Sequence, residues 1–464
     1  MASGRNMAGK AQGALHTVPG IERSAAIDRL VVGRGVLRQA AALFRETFGD
    51  APVLLVADGT TFEAAGEAVR SVFRDAGAEP HLHVMPARPR LAPDRARGDA
   101  IAALIRQIAA DSGGGLPVPL AIGSGVVNDL TRYAAFEAGT PFMSVPTAAS
   151  MDGYTSAGAP LNDDGFKITI QCAPPRVILA DLDVIAAAPA AMTGWGYGDL
   201  AGKMPAGGDW LVADALGLEP LDEIAWPLVQ DNLRQWLADP EGVGRGEPAA
   251  VAGLFSGLAA TGVAMELYGS SRPASGADHQ IAHIWEMENL THGGEKVSHG
   301  ACVAIGCLTV LALFDWLLSQ DLTRLDPPTV ARNAPDWPTV ERAIAAGFED
   351  AVVAERTRQE LREKWVEGAA LAERLERLKD VWPALRARLS SHLMREGEMR
   401  RLLAAAGAPV RVRDIGLTPQ QHRQTVLKAR WIRRRYTVLD LLDEAGLLYQ
   451  AVAEGLHETH PLYA

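Results

Sequence analysis

A chain of 464 residues exceeds the usual size of a single core, so two domains are expected, and 48% hydrophobic with 22% charged residues is an ordinary globular balance. Lys plus Arg number 45 against 56 Asp plus Glu, a net charge of −11. Such a chain has no bulk attraction for phosphate backbones or anionic lipid, so nucleic-acid and membrane partners are not expected, and any anionic ligand must be held by a local basic cluster.

Residues 1–20 lack an apolar stretch of the signal-peptide kind and read as a disordered arm. No apolar run is expected to reach the roughly 20 residues of a membrane span. Cys172, Cys302 and Cys307 are odd in number and lack CxxC spacing, which argues against a disulfide framework and suits a reducing cytoplasm.

From residue 21 to 187 short apolar runs alternate with helical stretches. Strands are expected at 52–58 (PVLLVAD), 81–85 (HLHVM), 120–123 (LAIG), 142–145 (FMSV) and 177–180 (VILA), with helices near 61–76 and 94–110. This alternation predicts an α/β domain with a mostly parallel, Rossmann-like sheet. Within it, 160–171 (PLNDDGFKITIQ) carries Asp164-Gly165 before alternating residues and predicts a hairpin. From 188 to 464 strand signals stop and apolar residues recur at helical spacing, as at Leu254, Leu258, Val263 and Leu267 and again over 369–389. Prolines in 326–338 predict a bend between helices. The expected architecture is an α/β domain followed by an all-helical domain, with the active site in the cleft between them.

Gly123-Ser124-Gly125-Val126-Val127-Asn128-Asp129 leads from a buried strand through a small-residue turn into a helix. Such a turn lets backbone approach a pyrophosphate at a helix start, although a plain strand–helix turn reads the same way, and Asn128 breaks the full G-x-G-x-x-G. The next strand runs into residues 145–156 (VPTAASMDGYTS), where small hydroxyl residues and Asp152 either meet a ligand at a strand end or cap a helix. Asp199 is a lone carboxylate in the uncharged stretch 195–200 (WGYGDL). His279 and His283 are four apart and share a helix face, and His299 follows in VSHG. A carboxylate and two imidazoles from these segments can hold a divalent ion with positions left open; capping and core polar groups are the alternative. The HxxxH pair lacks the Glu of a zinc-protease motif.

Taken in order, GSGVVND, SVPTAASMDGYTS, VILADLDVI, GYGDLAGK, SGADHQIAHIWE and SHGACVAIG resemble the sn-glycerol-1-phosphate dehydrogenase branch of the iron-containing alcohol dehydrogenase and dehydroquinate synthase-like superfamily. The resemblance spans about residues 30–448. It implies a dinucleotide-binding domain at 21–187, a helical metal- and substrate-binding domain at 188–464, and a homo-oligomer, most simply a dimer. The implied metal ligands are Asp199, His279 and His299, for a divalent ion that is zinc above all, with nickel or iron as alternatives. The implied contacts of NAD or NADP are Gly125, Val126, Val127, Asn128, Asp129, Thr147, Ser150 and Ser156, and more loosely Asp58. Asp152, Asp199 and His283 are implied to face substrate, with Asp152 and His283 in catalytic roles. Segment 292–297 (HGGEKV) is similar to a glycerol dehydrogenase motif that would assign His292, but SHG followed by V-x-I-G is nearer the glycerophosphate branch and assigns His299. Relatives often carry bulkier or longer polar side chains at the positions of Ala301 and Cys302.

The implied reaction is hydride transfer between nicotinamide and a three-carbon keto phosphate, dihydroxyacetone phosphate to sn-glycerol 1-phosphate, in the cytoplasm. A polyol dehydrogenase acting on an unphosphorylated or sugar-derived substrate is the alternative. The basic segment 428–436 (KARWIRRRY) has the interleaved aromatics of a nucleic-acid surface but no recognition motif around it. Its helical spacing instead predicts an anion site, with Arg430 and Arg434 on one face beside Lys428.

Overall fold

Six short apolar strands form a wholly parallel sheet in the computed structural model, which describes residues 16–88, 90–163 and 166–464. They are β1 (Arg29–Gly33), β2 (Val53–Asp58), β3 (His81–Met85), β4 (Val118–Gly123), β5 (Met143–Pro146) and β8 (Val177–Asp181), in the order β1-β8-β5-β4-β2-β3. Leu54, Leu55, Val56, Leu120, Ile122, Ile178 and Leu179 are fully buried, because helices cover both faces of these inner strands. β1 escaped the sequence reading: it is a five-residue edge strand that starts at the exposed Arg29 and pairs only with β8. β6 (Gly158–Asp163) and β7 (Phe166–Gln171) pair antiparallel outside the sheet; the Asp164-Gly165 turn lies outside the described residues. Of the arm expected over 1–20, residues 1–15 also lie outside them. From His16 on the chain is packed: its N–H donates to Val32 O at 3.0 Å, and Val18 is buried.

The chain leaves β2 for β3 on one side and returns to β4 on the other. The carboxyl ends of β2 and β4 therefore flank a switch point, the place where open α/β sheets receive ligands. Helix α1 (Gly125–Ala138) starts there.

Beyond residue 187 the fold is helical except for a small hairpin, β9 (Thr291–His292) and β10 (Glu295–Lys296), turned by Gly293 and Gly294 at positive φ. The helices that matter for the site are α2 (Ala190–Ala201), α3 (Lys203–Ala215), α4 (Pro248–Tyr268), α5 (Ala277–Met287), α6 (His299–Leu318) and α7 (Pro419–Ala429). Contrary to the sequence expectation, α4 and α6 are long and apolar enough to cross a membrane by length and composition. Their apolar windows are 72% and 89% buried inside the fold, so packing accounts for them. Central α6 lies against α2 and α5 at contact distance. A Cβ on Gly300 would strike the Trp195 carbonyl of α2, and one on Gly306 the Asp278 carbonyl of α5.

One buried polar contact braces α6. Thr309 donates its hydroxyl proton to Ile305 O at 2.7 Å, so His422 Nε2, 2.8 Å away, donates to Thr309. His422 Nδ1 then accepts from the Tyr463 hydroxyl at 2.9 Å. The ring is neutral, and burial pushes its pKa down from 6.5 to about 3. Between those values the unfolded chain binds the extra proton. Stability from this group is therefore complete above pH 6.5 and is lost as pH falls toward 3, by up to about 1.4 kcal/mol per pH unit. In thermal unfolding across that range, His422→Gln should lower Tm at neutral pH and flatten its acid dependence.

Candidate active site

Asp199, in the last turn of α2, is fully buried. His279 stands in the first turn of α5 and His299 opens α6. The ligand atoms of these three side chains lie within 4.8 Å of one another, and His279 Nε2 is 3.5 Å from Asp199 Oδ1. Each imidazole is held from behind by a carboxylate. His279 Nδ1 is 2.7 Å from Asp278 Oδ2, and His299 Nδ1 is 2.5 Å from Glu286 Oε1. A carboxylate on Nδ1 fixes the ring and leaves Nε2 as the basic nitrogen, the arrangement found behind metal-bound histidines. His283 completes the group, its ring centre 6.0 Å from that of His279 and 5.8 Å from that of His299.

The electrostatics centre on Lys203, four residues after Asp199 and completely buried. Its Nζ lies 2.6 Å from Asp199 Oδ1 and 2.7 Å from Asp152 Oδ2. Asp152 also donates its backbone N–H to Asp199 Oδ2 at 3.1 Å. Burial alone would raise the Asp199 pKa, but Lys203, His279 and His299 hold it far below the usual carboxylate range. Burial likewise opposes charge on His279, yet Asp278 and Asp199 push its pKa up to about 9. The pocket thus favours a cation at the nitrogen facing Asp199. One oxygen and two nitrogen donors at mutual ligand distance, in a site with surplus negative charge, suit a borderline divalent ion.

At the switch point, Ser124 precedes α1, so the N–H groups of Gly125, Val126 and Val127 are left free by the helix ladder. Asn128 and Asp129 instead brace the turn from inside. Asn128 N–H bonds Ser124 O at 3.1 Å and its side-chain oxygen accepts from Ser144 at 2.9 Å. Asp129 pairs with the buried Arg132 at 3.1 Å, and that guanidinium holds the carbonyls of Gly153 and Tyr154. The turn faces the 147–156 loop, where Met151 Cγ is 3.7 Å from the Cβ position of Gly125. Thr147 and Ser156 are largely buried in this loop; Thr147 N–H bonds Gly123 O at 3.2 Å and Ser156 Oγ donates to Gly153 O at 3.1 Å. Ser150 is half-buried. Asp58, at the end of β2, has one oxygen committed to the N–H of Thr61 at 2.8 Å as a helix cap.

A family model described as iron-containing alcohol dehydrogenase matches residues 31–189. A glycerol-1-phosphate dehydrogenase [NAD(P)+] of Halalkalibacterium halodurans is 33% identical over 291 residues, 62% of this chain and 71% of that protein. One of Geobacillus stearothermophilus is 28% identical over 90% of this chain and 93% of its own length. The chain belongs to the glycerol-1-phosphate dehydrogenase branch of the iron-containing alcohol dehydrogenase family. It is an NAD(P)-dependent oxidoreductase. The solved structure of a probable glycerol dehydrogenase from Sinorhizobium meliloti has the same fold, with a TM-score of 0.57, 14% identity, and coverage of 93% of this chain and 98% of that one.

Within this dehydrogenase His299, not His292, meets Asp199 and His279. His292 is exposed on the β9–β10 hairpin and packs against Gly416. The anion site expected from Lys428, Arg430 and Arg434 is not formed. Helix α7 stops at Ala429, which takes Arg434 off any shared face with Arg430. Arg430 is buried against Asp440 at 3.3 Å and Asp443 at 3.0 Å, and Lys428 is tied to Glu288 at 2.5 Å. Three site residues went unnoticed in the sequence despite a signal in their spacing. Lys203 is i+4 from Asp199, Glu286 is i+3 from His283 on the same face, and Asp278 precedes His279.

Removing the Lys203 ammonium would strand two carboxylates in a closed pocket. Lys203→Met should therefore cost about 3–5 kcal/mol in denaturant unfolding. Adding Asp152→Asn to it should recover part of the loss, a coupling that two independent sites would not show.

Proposed function

We propose that this dehydrogenase reversibly reduces dihydroxyacetone phosphate to sn-glycerol 1-phosphate, with Asp199, His279 and His299 as ligands of a catalytic divalent ion, zinc by the donor set. The observation that carries the reading is the convergence of these three side chains beside His283 and Lys203-bound Asp152. A bound ion would supply Lewis-acid polarisation of the ketone oxygen, and the reduced nicotinamide the hydride that reaches C2.

The protein's own groups do the rest. Asp152, fixed by Lys203 at 2.7 Å, accepts a hydrogen bond from a substrate hydroxyl. His283, one helical turn from His279, delivers a proton to the substrate O2 as hydride arrives and takes it back in the reverse direction. The free N–H groups of Gly125, Val126 and Val127 hold the pyrophosphate, with Thr147, Ser150 and Ser156 lining its approach and Asp58 near the adenosine ribose. In this reading residues 21–187 bind the dinucleotide, and 188–464 hold the metal and substrate.

Support for the glycerophosphate substrate over a free polyol comes from His299 taking the place that His292 would need, and from relatives named glycerol-1-phosphate dehydrogenase. Alanine at Asp199, His279 or His299 should strip the metal and abolish turnover together. His283→Ala should keep its metal and lose roughly 10²–10⁴-fold in kcat. Metal analysis beside NADH and NADPH oxidation with dihydroxyacetone phosphate and dihydroxyacetone checks both statements. Metal retained in all three ligand variants would overturn the assignment, and turnover of dihydroxyacetone alone would favour the polyol substrate.

A further inference from the structure

A cavity of about 640 Å³ opens between the loop after β3 and the start of α6, lined by Arg88, Arg90, Trp195, Lys296, Ser298 and Ala301 among others. It adjoins the candidate metal centre on two elements. Ser298 immediately precedes His299, and Trp195 lies one helical turn before Asp199. The three cations around it are matched almost entirely by neutral groups. Arg90 donates to the Lys296 carbonyl at 3.0 Å and to Ser298 Oγ at 2.9 Å, its guanidinium 5.6 Å from the Trp195 ring centre. Lys296 Nζ donates to the Asn289 side-chain oxygen at 2.8 Å. Among the described residues Arg88 has no ion-pair partner, and its side chain is exposed.

Two carboxylates also line the cavity, Glu295 and Asp414. Asp414 is committed to its own loop, accepting the N–H groups of Val410 and Arg411 at 3.2 and 3.0 Å and the Arg411 guanidinium at 3.2 Å. That leaves an excess of positive charge facing open space in a chain of net charge −11. Surface arginines and lysines held by neutral acceptors keep their full attraction for an anion, and a planar guanidinium can meet two phosphate oxygens at once. Ala301 offers only a methyl group, so an anion seated here must be held by the loop cations.

We propose that Arg88, Arg90 and Lys296 form the subsite for the substrate's phosphate monoester, an inference that rests on the phosphorylated substrate proposed above. The same chemistry is carried by the 2′-phosphate of NADP. Ala87 lines the cavity too, with its Cβ 3.4 Å from the Cβ position of Gly59, next to Asp58. The closer tie is to the substrate, because Arg90 is bonded to the residue beside His299.

The test uses the metal-loaded full-length protein, with Arg88→Ala, Lys296→Ala and the double variant. The ratio of kcat/KM for dihydroxyacetone phosphate to that for dihydroxyacetone should fall about tenfold to a hundredfold per charge-assisted contact removed. Inorganic phosphate should inhibit the wild-type protein competitively against dihydroxyacetone phosphate, with an inhibition constant that rises in parallel in the variants. Equal losses on both substrates, or phosphate inhibition that ignores the substitutions, would overturn the subsite. A rise in KM confined to NADPH, with NADH unaffected, would also overturn it and assign the cations to the nucleotide. Wild-type protein inert toward dihydroxyacetone phosphate, yet binding inorganic phosphate through these residues in calorimetry, would instead overturn the proposed substrate and leave the anion subsite standing.

Discussion

The geometry of this molecule hangs on how closely α6 approaches α2 and α5. Ordinary helix pairs keep axes roughly 8–10 Å apart, with side chains between them. Here backbone meets backbone, because Gly300 sits on the Trp195 carbonyl and Gly306 on the Asp278 carbonyl. Only that approach lets the first turn of α6 place His299 against Asp199 of α2 and His279 of α5. A longer residue at either glycine must move an α-helix, not a flexible side chain, and the cost would fall on a polar cluster with little slack. The apolar length of α6, which would pass for a membrane span on composition, is what a helix needs when it is packed on every side.

Crowding acidic groups into that crossing creates a charge problem, and the chain answers it locally. Asp152, Asp199 and Asp278 stand within a few side chains of one another, with Lys203 the fully buried ammonium among them. Lys203 balances Asp152 and part of Asp199. The remainder draws a proton onto His279, whose pKa rises to about 9. A divalent ion does the same electrostatic work better, and binding it would displace that proton. The elevated imidazole is thus the protein's own sign of an environment built for a cation.

Much of this was readable in the sequence, and the exceptions have physical causes. The buried inner strands β2, β4, β5 and β8 announce themselves as continuous apolar runs. Of the two partly wet edge strands, β3 was legible from its short Leu- and Val-bearing segment between two helical stretches, while β1, starting at an arginine, was not. The His279–His283 spacing fixed a helix face, but which distant residues meet that face depends on helix crossings that no local pattern encodes. His292 and His299 are seven residues apart, and only the hairpin between them sends one outward and the other in. The basic segment 428–436 misled for a related reason. Its spacing suggests one helical stripe, yet the helix ends at Ala429 and buried acids absorb Arg430. Lys203 was hidden by its residue type, since a lysine is ordinarily read as solvent-facing.

The two ends of the proposed substrate would then be held by structures of different stiffness. Reducing a ketone requires its carbon and oxygen to be placed within a fraction of an ångström, and that end falls where three helices cross backbone to backbone. A phosphate needs charge more than placement, and its proposed cations sit on a loop after β3 and on a two-residue strand, elements that can shift as a ligand enters. Arg90 joins the two regions, since its guanidinium reaches from that loop to Ser298 at the mouth of α6. An anion that orders the loop would therefore press on the segment carrying His299. Substrate binding and the positioning of the reactive centre become one event, and an unphosphorylated ketone, lacking that lever, would leave the loop and the helix uncoupled.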